Sequence, residues 1–265
     1  MLSTLWNGVF LKPLANLLIF LTNVIPGHDL GVAIIILTII IRLILYPLSK
    51  KAIQNQRAMQ AFQPELDKIK EKYKDDKDKQ TKETLAFYQK HKINPLSSCL
   101  PLIIQMPILI AMYWVFRYAS FGTIEHLLYP FVHLSSSLTI KFLGVVDLSK
   151  PEVYALPVLA GATQFYQSWM ILGQAKKDEK RMGLKDKKGP VSNSASSRGG
   201  PQDSATMITR QMTYIFPIIT VMIAIKLPAA IALYWIVTNL FSILQQYIIM
   251  KDKRERPEVI VRRKV

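Results

Sequence analysis

Five long apolar segments constrain this chain more than any other feature of its sequence. A helix needs about 20 consecutive apolar residues to cross the hydrocarbon core of a bilayer. Half of the 265 residues are hydrophobic, and they concentrate in segments 30–46, 100–118, 153–173, 212–225 and 228–250. The sequence therefore predicts an all-α integral membrane protein with five transmembrane helices. The fourth segment is short, and it needs either a thinned bilayer or an extension back through residues 208–211.

The distribution of basic residues predicts how these helices are oriented. The chain carries 34 Lys and Arg against 18 Asp and Glu, and 28 of the 34 basic residues fall in 48–98, 174–211 and 251–265. Loops rich in Lys and Arg stay in the cytoplasm. We therefore expect the N-terminus outside and the C-terminus in the cytoplasm. Five spans fit this alternation, whereas four or six do not.

Residues 1–29 are predicted to form an extracytoplasmic, interfacial amphipathic helix. Apolar residues from Leu5 to Ile25 recur at helical spacing, with Asn7, Lys12 and Asn16 on other faces. The pair Lys12-Pro13 argues against the alternative of a sixth span. The segment has neither a basic start nor a small-residue cleavage site, so it does not read as a signal peptide.

The three basic segments are predicted to differ in structure. Residues 48–98 read as a cytoplasmic helical hairpin with Asp75-Asp76 at its turn, residues 174–211 as a disordered loop, and 251–265 as a basic tail. The hairpin could be a docking surface or simply a solvated charge run. The tail could bind anionic lipid or ribosomal RNA, and topology anchoring explains it equally well.

Arg42 is the most informative residue within a span. It lies four residues before Tyr46, about 6 Å from the cytoplasmic end of its helix, and all 18 acidic residues fall outside the five spans. Snorkelling to the cytoplasmic headgroups is one explanation for this unpaired charge. Polar residues recur on other spans: Gln105, Thr163, Gln164, Gln167, Tyr234, Trp235, Asn239, Gln245 and Gln246. Each can be a helix–helix contact, but together with Arg42 they predict a wet cavity open to the cytoplasm.

The residue types that are missing from the spans and from the chain argue against several activities. The spans carry no Asp, Glu or His, which an intramembrane aspartyl protease, a serine–histidine site or proton-coupled transport would use. There is no GxxxxGK[ST] phosphate loop. The single cysteine, Cys99, allows neither an intramolecular disulfide nor a cysteine-rich metal site. We therefore expect no enzyme activity, no cofactor and no metal.

Several short motifs, in their order and spacing, resemble the YidC insertases of the YidC–Oxa–Alb group. The resemblance runs from about Trp6 to Met250. Within the family, the chain is similar to the minimal bacterial five-helix form. The motifs are Arg42 followed by Tyr46-Pro47, the basic hairpin, Asn94-Pro95, the stretch from Pro101 through Gln105 to Pro107, Phe216-Pro217, and the stretch from Pro228 to Trp235 with Asn239 and Gln245.

The resemblance implies five helices around a hydrophilic groove that is open to the cytoplasm, with Arg42, Gln105 and Trp235 lining it. It implies a membrane protein insertase of the bacterial plasma membrane that works without ATP hydrolysis. The expected partners are nascent membrane proteins, the Sec translocon, membrane lipids and, through hairpin and tail, the ribosome, with no small-molecule substrate. Two alternatives stay open. One is a scaffold that recruits ribosome or translocon, and the other is a small pore with Arg42 as an anion filter.

Overall fold

The computed structural model describes residues 2–91, 100–134, 139–152, 154–181 and 203–251. Their helices are α1 (Leu2–Trp6), a π-helical turn (Asn7–Leu11), α2 (Lys12–Val24), α3 (Leu30–Ile44), α4 (Tyr46–Ala61), α5 (Gln63–Lys72), α6 (Lys77–Lys90), α7 (Leu100–Ser120), a 3-10 turn (Ile124–Leu127), α8 (Ala155–Arg181), α9 (Asp203–Ala224) and α10 (Ala229–Lys251). The strands are β1 (Lys141–Phe142) and β2 (Val146–Asp147), which pair antiparallel. The expected all-α class is confirmed.

The helices have the length and apolarity of membrane spans. In the described residues, Thr4–Val24, Ile103–Ser120 and Ala229–Lys251 are long and apolar enough to cross a bilayer, and α3 with α4 adds a fourth if the pair is one broken span. The chain is therefore a multi-pass membrane protein by helix length and composition. The apolar part of α9 is short, Tyr214–Ala224, and polar side chains interrupt α8. The count of five spans stays a prediction.

The prediction of a disordered loop over residues 174–211 is wrong at both ends of that range. Helix α8 continues to Arg181 and α9 begins at Asp203. The residues after Gly173 are mostly Gln, Ala, Lys, Glu and Arg, which have high helix propensity and extend an existing helix readily. The extension of α9 includes residues 208–211, in the direction that the short fourth segment required. Residues 182–202, 92–99 and 252–265 lie outside the described part of the chain.

The N-terminal segment is helical through Pro13, which the sequence treated as an obstacle to a span. The π-helical turn Asn7–Leu11 directly precedes α2, in which Pro13 is the second residue. A local widening of the helix is a common way to accommodate the proline ring and its missing N–H. Length and composition allow Thr4–Val24 to span, so its interfacial position stays a prediction.

Two compact units divide the chain. The first comprises the described residues of 1–46, 102–167 and 215–242, and the second those of 47–101, 168–214 and 243–265. The core of the first unit is built from α2, α3, α7 and α10, with fully buried side chains that include Leu18, Ile34, Met112, Phe116 and Ile231.

The second unit contains a pair of helices joined by a tight turn. Helices α5 and α6 pack together, and the Asp76 side chain caps α6 by accepting from the Lys79 N–H at 3.0 Å. This hydrogen bond, with a second from the Lys79 side chain, holds the pKa of Asp76 below its usual range. The rings of Phe62, Phe87 and His91 cluster at the other end of the pair.

Candidate functional site

A hydrogen-bonded chain of three side chains, which we call the Arg42 cluster, connects α3, α7 and α10 in the first unit. Arg42 Nη2 donates to Gln105 Oε1 at 2.8 Å, and Gln105 Nε2 donates to the Tyr234 hydroxyl at 2.7 Å. Tyr234 is buried, with 1% of its surface exposed, whereas Arg42 and Gln105 are half-buried. The cluster therefore runs from a buried phenol to a partly accessible cation.

Local structure explains why a cation is stable at this position. Arg42 lies in the last turn of α3, where the backbone carbonyls and the helix dipole favour positive charge. One turn earlier, Thr38 is fully buried, and its hydroxyl donates to the Ile34 carbonyl of the same helix at 2.6 Å. The guanidinium is thus held by the helix end and by one neutral amide.

The charge of Arg42 has no carboxylate partner among the described residues. The ion pairs recorded there join Lys70 to Asp67, Lys79 to Asp76 and Lys150 to Asp147. A guanidinium has five N–H donors in a planar fork, and one of them is used by Gln105. The remaining donors can bind water, a lipid phosphate or an acidic ligand.

A second polar contact connects α10 to α8. Asn239 Nδ2 lies 3.2 Å from the Ala160 carbonyl oxygen and 3.2 Å from Thr163 Oγ1, and Asn239 is buried. Close by, the small residue Gly161 lets α8 approach α9. A Cβ added at Gly161 would lie 3.3 Å from the Pro217 carbonyl oxygen of α9 and even closer to Val221. Asn239 therefore contributes to helix packing, one of the two roles that the sequence left open for it.

The remaining predicted site residues have a different setting. Gln164, Gln167 and Trp235 are half-buried, and Trp235 packs against the apolar core of the first unit. Within the described residues, neither glutamine forms a hydrogen bond with another side chain or backbone group. The structure thus joins Arg42, Gln105 and Tyr234, and it places Asn239 in a separate contact.

One residue of the predicted polar set has a partner that the sequence did not indicate, and another polar residue was wrongly placed. Thr163, which the sequence grouped with Gln164 and Gln167 on the third span, receives the Asn239 hydrogen bond. Asn16, which was predicted on a face away from the apolar stripe, is 5% exposed. Its side chain donates to the Leu127 carbonyl at 2.9 Å and accepts from the Tyr129 N–H at 2.6 Å. A loop with free backbone groups covers this face, which the sequence of the helix could not indicate.

The described residues contain no group of three or more His, Cys, Asp or Glu side chains placed to hold a metal ion. The polar groups of the Arg42 cluster are one cation, one amide and one phenolic hydroxyl. Such a set binds polar or anionic groups by hydrogen bonding and charge attraction.

Comparison with known proteins identifies the class of protein to which these features belong. The sequence model of the family described as 60Kd inner membrane protein matches residues 20–256. Membrane protein insertase YidC 1 of Halalkalibacterium halodurans is 36% identical over 250 residues, which cover 92% of this chain and 79% of that protein. The insertase MisCA of Bacillus subtilis is 34% identical over 96% of this chain and 82% of its own length.

A third relative, the insertase YidC of Fusobacterium nucleatum, is 33% identical over 90% of this chain and 95% of its own length. The class is that of multi-pass membrane proteins with an all-helical core. This chain belongs to the YidC family within it, so the resemblance noted in its motifs is confirmed.

Proposed function

We propose that this protein is a membrane protein insertase and that the Arg42 cluster receives the polar, often acidic, segment of an incoming chain. The observation that carries the proposal is the position of Arg42, a cation at the end of an apolar helix that pairs with no described carboxylate. Three similar proteins over most of this chain are named membrane protein insertases, which supports the same function here.

The physical scheme needs no nucleotide. A polar segment that crosses a bilayer loses its hydration, and a partly hydrated site with a fixed cation lowers that cost. Burial of the substrate's apolar helix then supplies free energy, at about 0.8 kcal/mol for each CH₂ group removed from water. Arg42 acts as a docking point for negative charge, and Gln105 and Tyr234 hold its guanidinium in place.

The finer parts of the proposal follow from the sequence and the family. We propose five spans around a cytoplasm-open hydrophilic groove, with Arg42, Gln105, Gln164, Gln167, Tyr234, Trp235 and Asn239 facing it. The bacterial plasma membrane is the proposed location, with the N-terminus outside and the C-terminus inside. The Sec translocon, the ribosome and anionic lipids are the proposed partners, the ribosome through the basic hairpin and tail.

The test is insertion of a small single-span protein with an acidic external tail into liposomes that contain the purified protein. Protection of the tail from added protease measures insertion. We expect protection with the wild type, loss of about tenfold or more with Arg42→Ala, and retention with Arg42→Lys, because a charged hydrogen bond contributes about 1.5–3 kcal/mol.

Arg117→Ala is the matched control, because it removes the same charge from the last turn of a different apolar helix, α7. Arg117 donates to the Tyr113 hydroxyl at 2.9 Å and lies over the rings of Trp114 and Phe121. Its loss should leave insertion unchanged. Equal insertion by Arg42→Ala and wild type would contradict a role for the cluster, and no insertion by folded wild type would favour the scaffold alternative.

A further inference from the structure

The β1–β2 hairpin ends in a tip with two outward-facing apolar side chains. Leu143 is 69% exposed and Val145 is 83% exposed. Their neighbours Phe142 and Val146 are partly buried and pack against the core of the first unit. The hairpin thus has one face toward the protein, while the apolar tip has no cover within the described residues.

The conformation of the tip makes the presence of a leucine informative. Leu143 and Gly144 have φ angles of 50° and 75°, and the Val145 N–H donates to the Phe142 carbonyl at 3.0 Å. Two central residues with positive φ define a type I′ turn, which favours Asn-Gly because a leucine side chain is disfavoured in the left-handed region. A leucine at position 143 is therefore unfavourable in two ways: its backbone is in the left-handed region, and its apolar side chain is exposed. This combination points to a function for the side chain.

The tip is hydrogen-bonded to Asp29, the residue that caps the start of α3. The Leu143 N–H donates to Asp29 Oδ2 at 2.7 Å, while Asp29 Oδ1 caps α3 by accepting from the N–H groups of Gly31 and Val32 at 2.7 and 3.0 Å. Phe142 lies against Gly31, where an added Cβ would be 2.7 Å from the Phe142 Cγ. The apolar residues of α3 begin at Leu30, so the tip lies at the level where that helix enters the bilayer.

The charges around the tip fit a lipid surface. Lys141 is exposed next to the tip, and Lys150 is 79% exposed at the end of the hairpin. Two carboxylates lie near the tip. Asp147 is engaged by Ser149 and Lys150, and Asp29 by the N–H groups of Gly31, Val32 and Leu143. Exposed lysines beside an apolar tip are the pattern of segments that enter the headgroup region, where lysine reaches phosphate and apolar side chains reach the acyl chains.

We propose that Leu143 and Val145 insert into the leaflet at the N-terminal end of α3, so that the hairpin is a lipid anchor. In the proposed orientation this is the outer leaflet. The proposal rests on α3 crossing the bilayer and does not depend on insertase activity, so the two can fail separately.

The test uses the full-length protein in liposomes of phosphatidylcholine and phosphatidylglycerol. Cys99→Ser removes the single native cysteine, and Val145→Cys or Leu143→Cys then carries a polarity-sensitive fluorophore. We expect blue-shifted emission at both positions and quenching by bromine-labelled acyl chains about twofold or more above that at a water-facing position. Glu125→Cys supplies that position, because Glu125 is an exposed, charged residue.

A second variant separates lipid contact from folding. Leu143→Asn suits a type I′ turn and keeps the hairpin intact, but it removes half of the apolar tip. We expect it to reduce lipid quenching at position 145 while thermal stability in detergent is retained or raised. Water-like emission at 143 and 145, equal to that at 125, would overturn the proposal and favour a protein partner for the tip.

Discussion

Two polar centres in the first unit, one around Arg42 and one around Asn16, differ in how completely their hydrogen-bonding groups are used. Asn16 donates to the carbonyls of Lys12 and Leu127 and accepts from the Tyr129 N–H. Both of its donors and its acceptor therefore have partners within the protein. Arg42 uses one donor of five on Gln105. A saturated polar group fixes structure, whereas an unsaturated charge at a membrane helix end is available to a ligand.

The largest expected effect comes from reversing the unsaturated charge. Arg42→Glu should reduce insertion of an acidic-tailed substrate by about 100-fold, because attraction worth about 1.5–3 kcal/mol is replaced by repulsion. A substrate with a lysine-containing tail should recover part of this loss. Insertion rates for the two substrates provide the measurement, and Arg117→Glu is the control. If Arg42→Glu reduces insertion of both substrates equally, Arg42 does not distinguish substrates by the charge of their tails.

Breaking the saturated centre should affect folding and spare insertion. Asn16→Leu leaves the Leu127 carbonyl and the Tyr129 N–H without their partner, at a cost of about 1–3 kcal/mol in the free energy of unfolding. Thermal unfolding in detergent measures the cost, with the exposed Asn7→Leu as control. Insertion per folded molecule should stay at the wild-type level, and a specific loss of insertion would show that Asn16 also takes part in insertion.

Tyr234→Phe tests whether Tyr234 acts mainly in folding, like Asn16, or in insertion, like Arg42. It removes the acceptor of the Gln105 Nε2 donor but keeps the buried ring, so the free energy of unfolding should fall by about 0.5–2 kcal/mol, the range of hydrogen bonds between membrane helices. Insertion should decrease less than in Arg42→Ala. Ser242→Ala, which removes a bond within α10 only, is the matched control. An equal or larger loss of insertion would make Tyr234 part of the binding site itself.

The smallest effect concerns Glu152, whose carboxylate accepts three hydrogen bonds from backbone N–H groups. Burial opposes its charged form, but hydrogen bonds from the N–H groups of Ala155, Leu156 and Tyr154 outweigh this and hold its pKa below the usual range. A pKa lowered by folding stabilises the protein above the unfolded value, near 4. That contribution is lost as the pH falls through the folded value.

Glu152→Gln should therefore lower the free energy of unfolding at pH 7 by about 0.5 kcal/mol, an amount already reduced for the solvent exposure of the group. The difference between variant and wild type should shrink as the pH is lowered and the carboxylate of the folded protein becomes protonated. Unfolding curves measured over a series of pH values from 7 downward test this. A difference that does not change with pH would mean that the side chain stabilises the start of α8 by packing.

The helical class could be predicted from the sequence, but the internal partners of Arg42 and Asn16 could not. Apolar runs and a charge without a nearby carboxylate can be read along the chain. The pairing of Arg42 with Gln105, 63 positions away, and of Gln105 with Tyr234, 129 positions away, depends on how α3, α7 and α10 pack. Asn16 was misplaced for the same reason, since the loop groups at 127 and 129 that it binds are invisible in the pattern of its own helix.

The start of α10 has a consequence for how its tyrosine is positioned. The N–H groups of Ala229 and Ala230 donate to the carbonyls of Lys150 and Leu148 at 2.9 and 3.2 Å, so these two hydrogen bonds involve main-chain atoms only. Amino-acid replacements at 148 and 150 leave the carbonyls in place, so a substitution screen tests the packing of the buried Leu148 side chain and not these hydrogen bonds. A one-residue insertion between 148 and 150, or an ester in place of the amide at 229, would reveal them by turning Tyr234 away from Gln105.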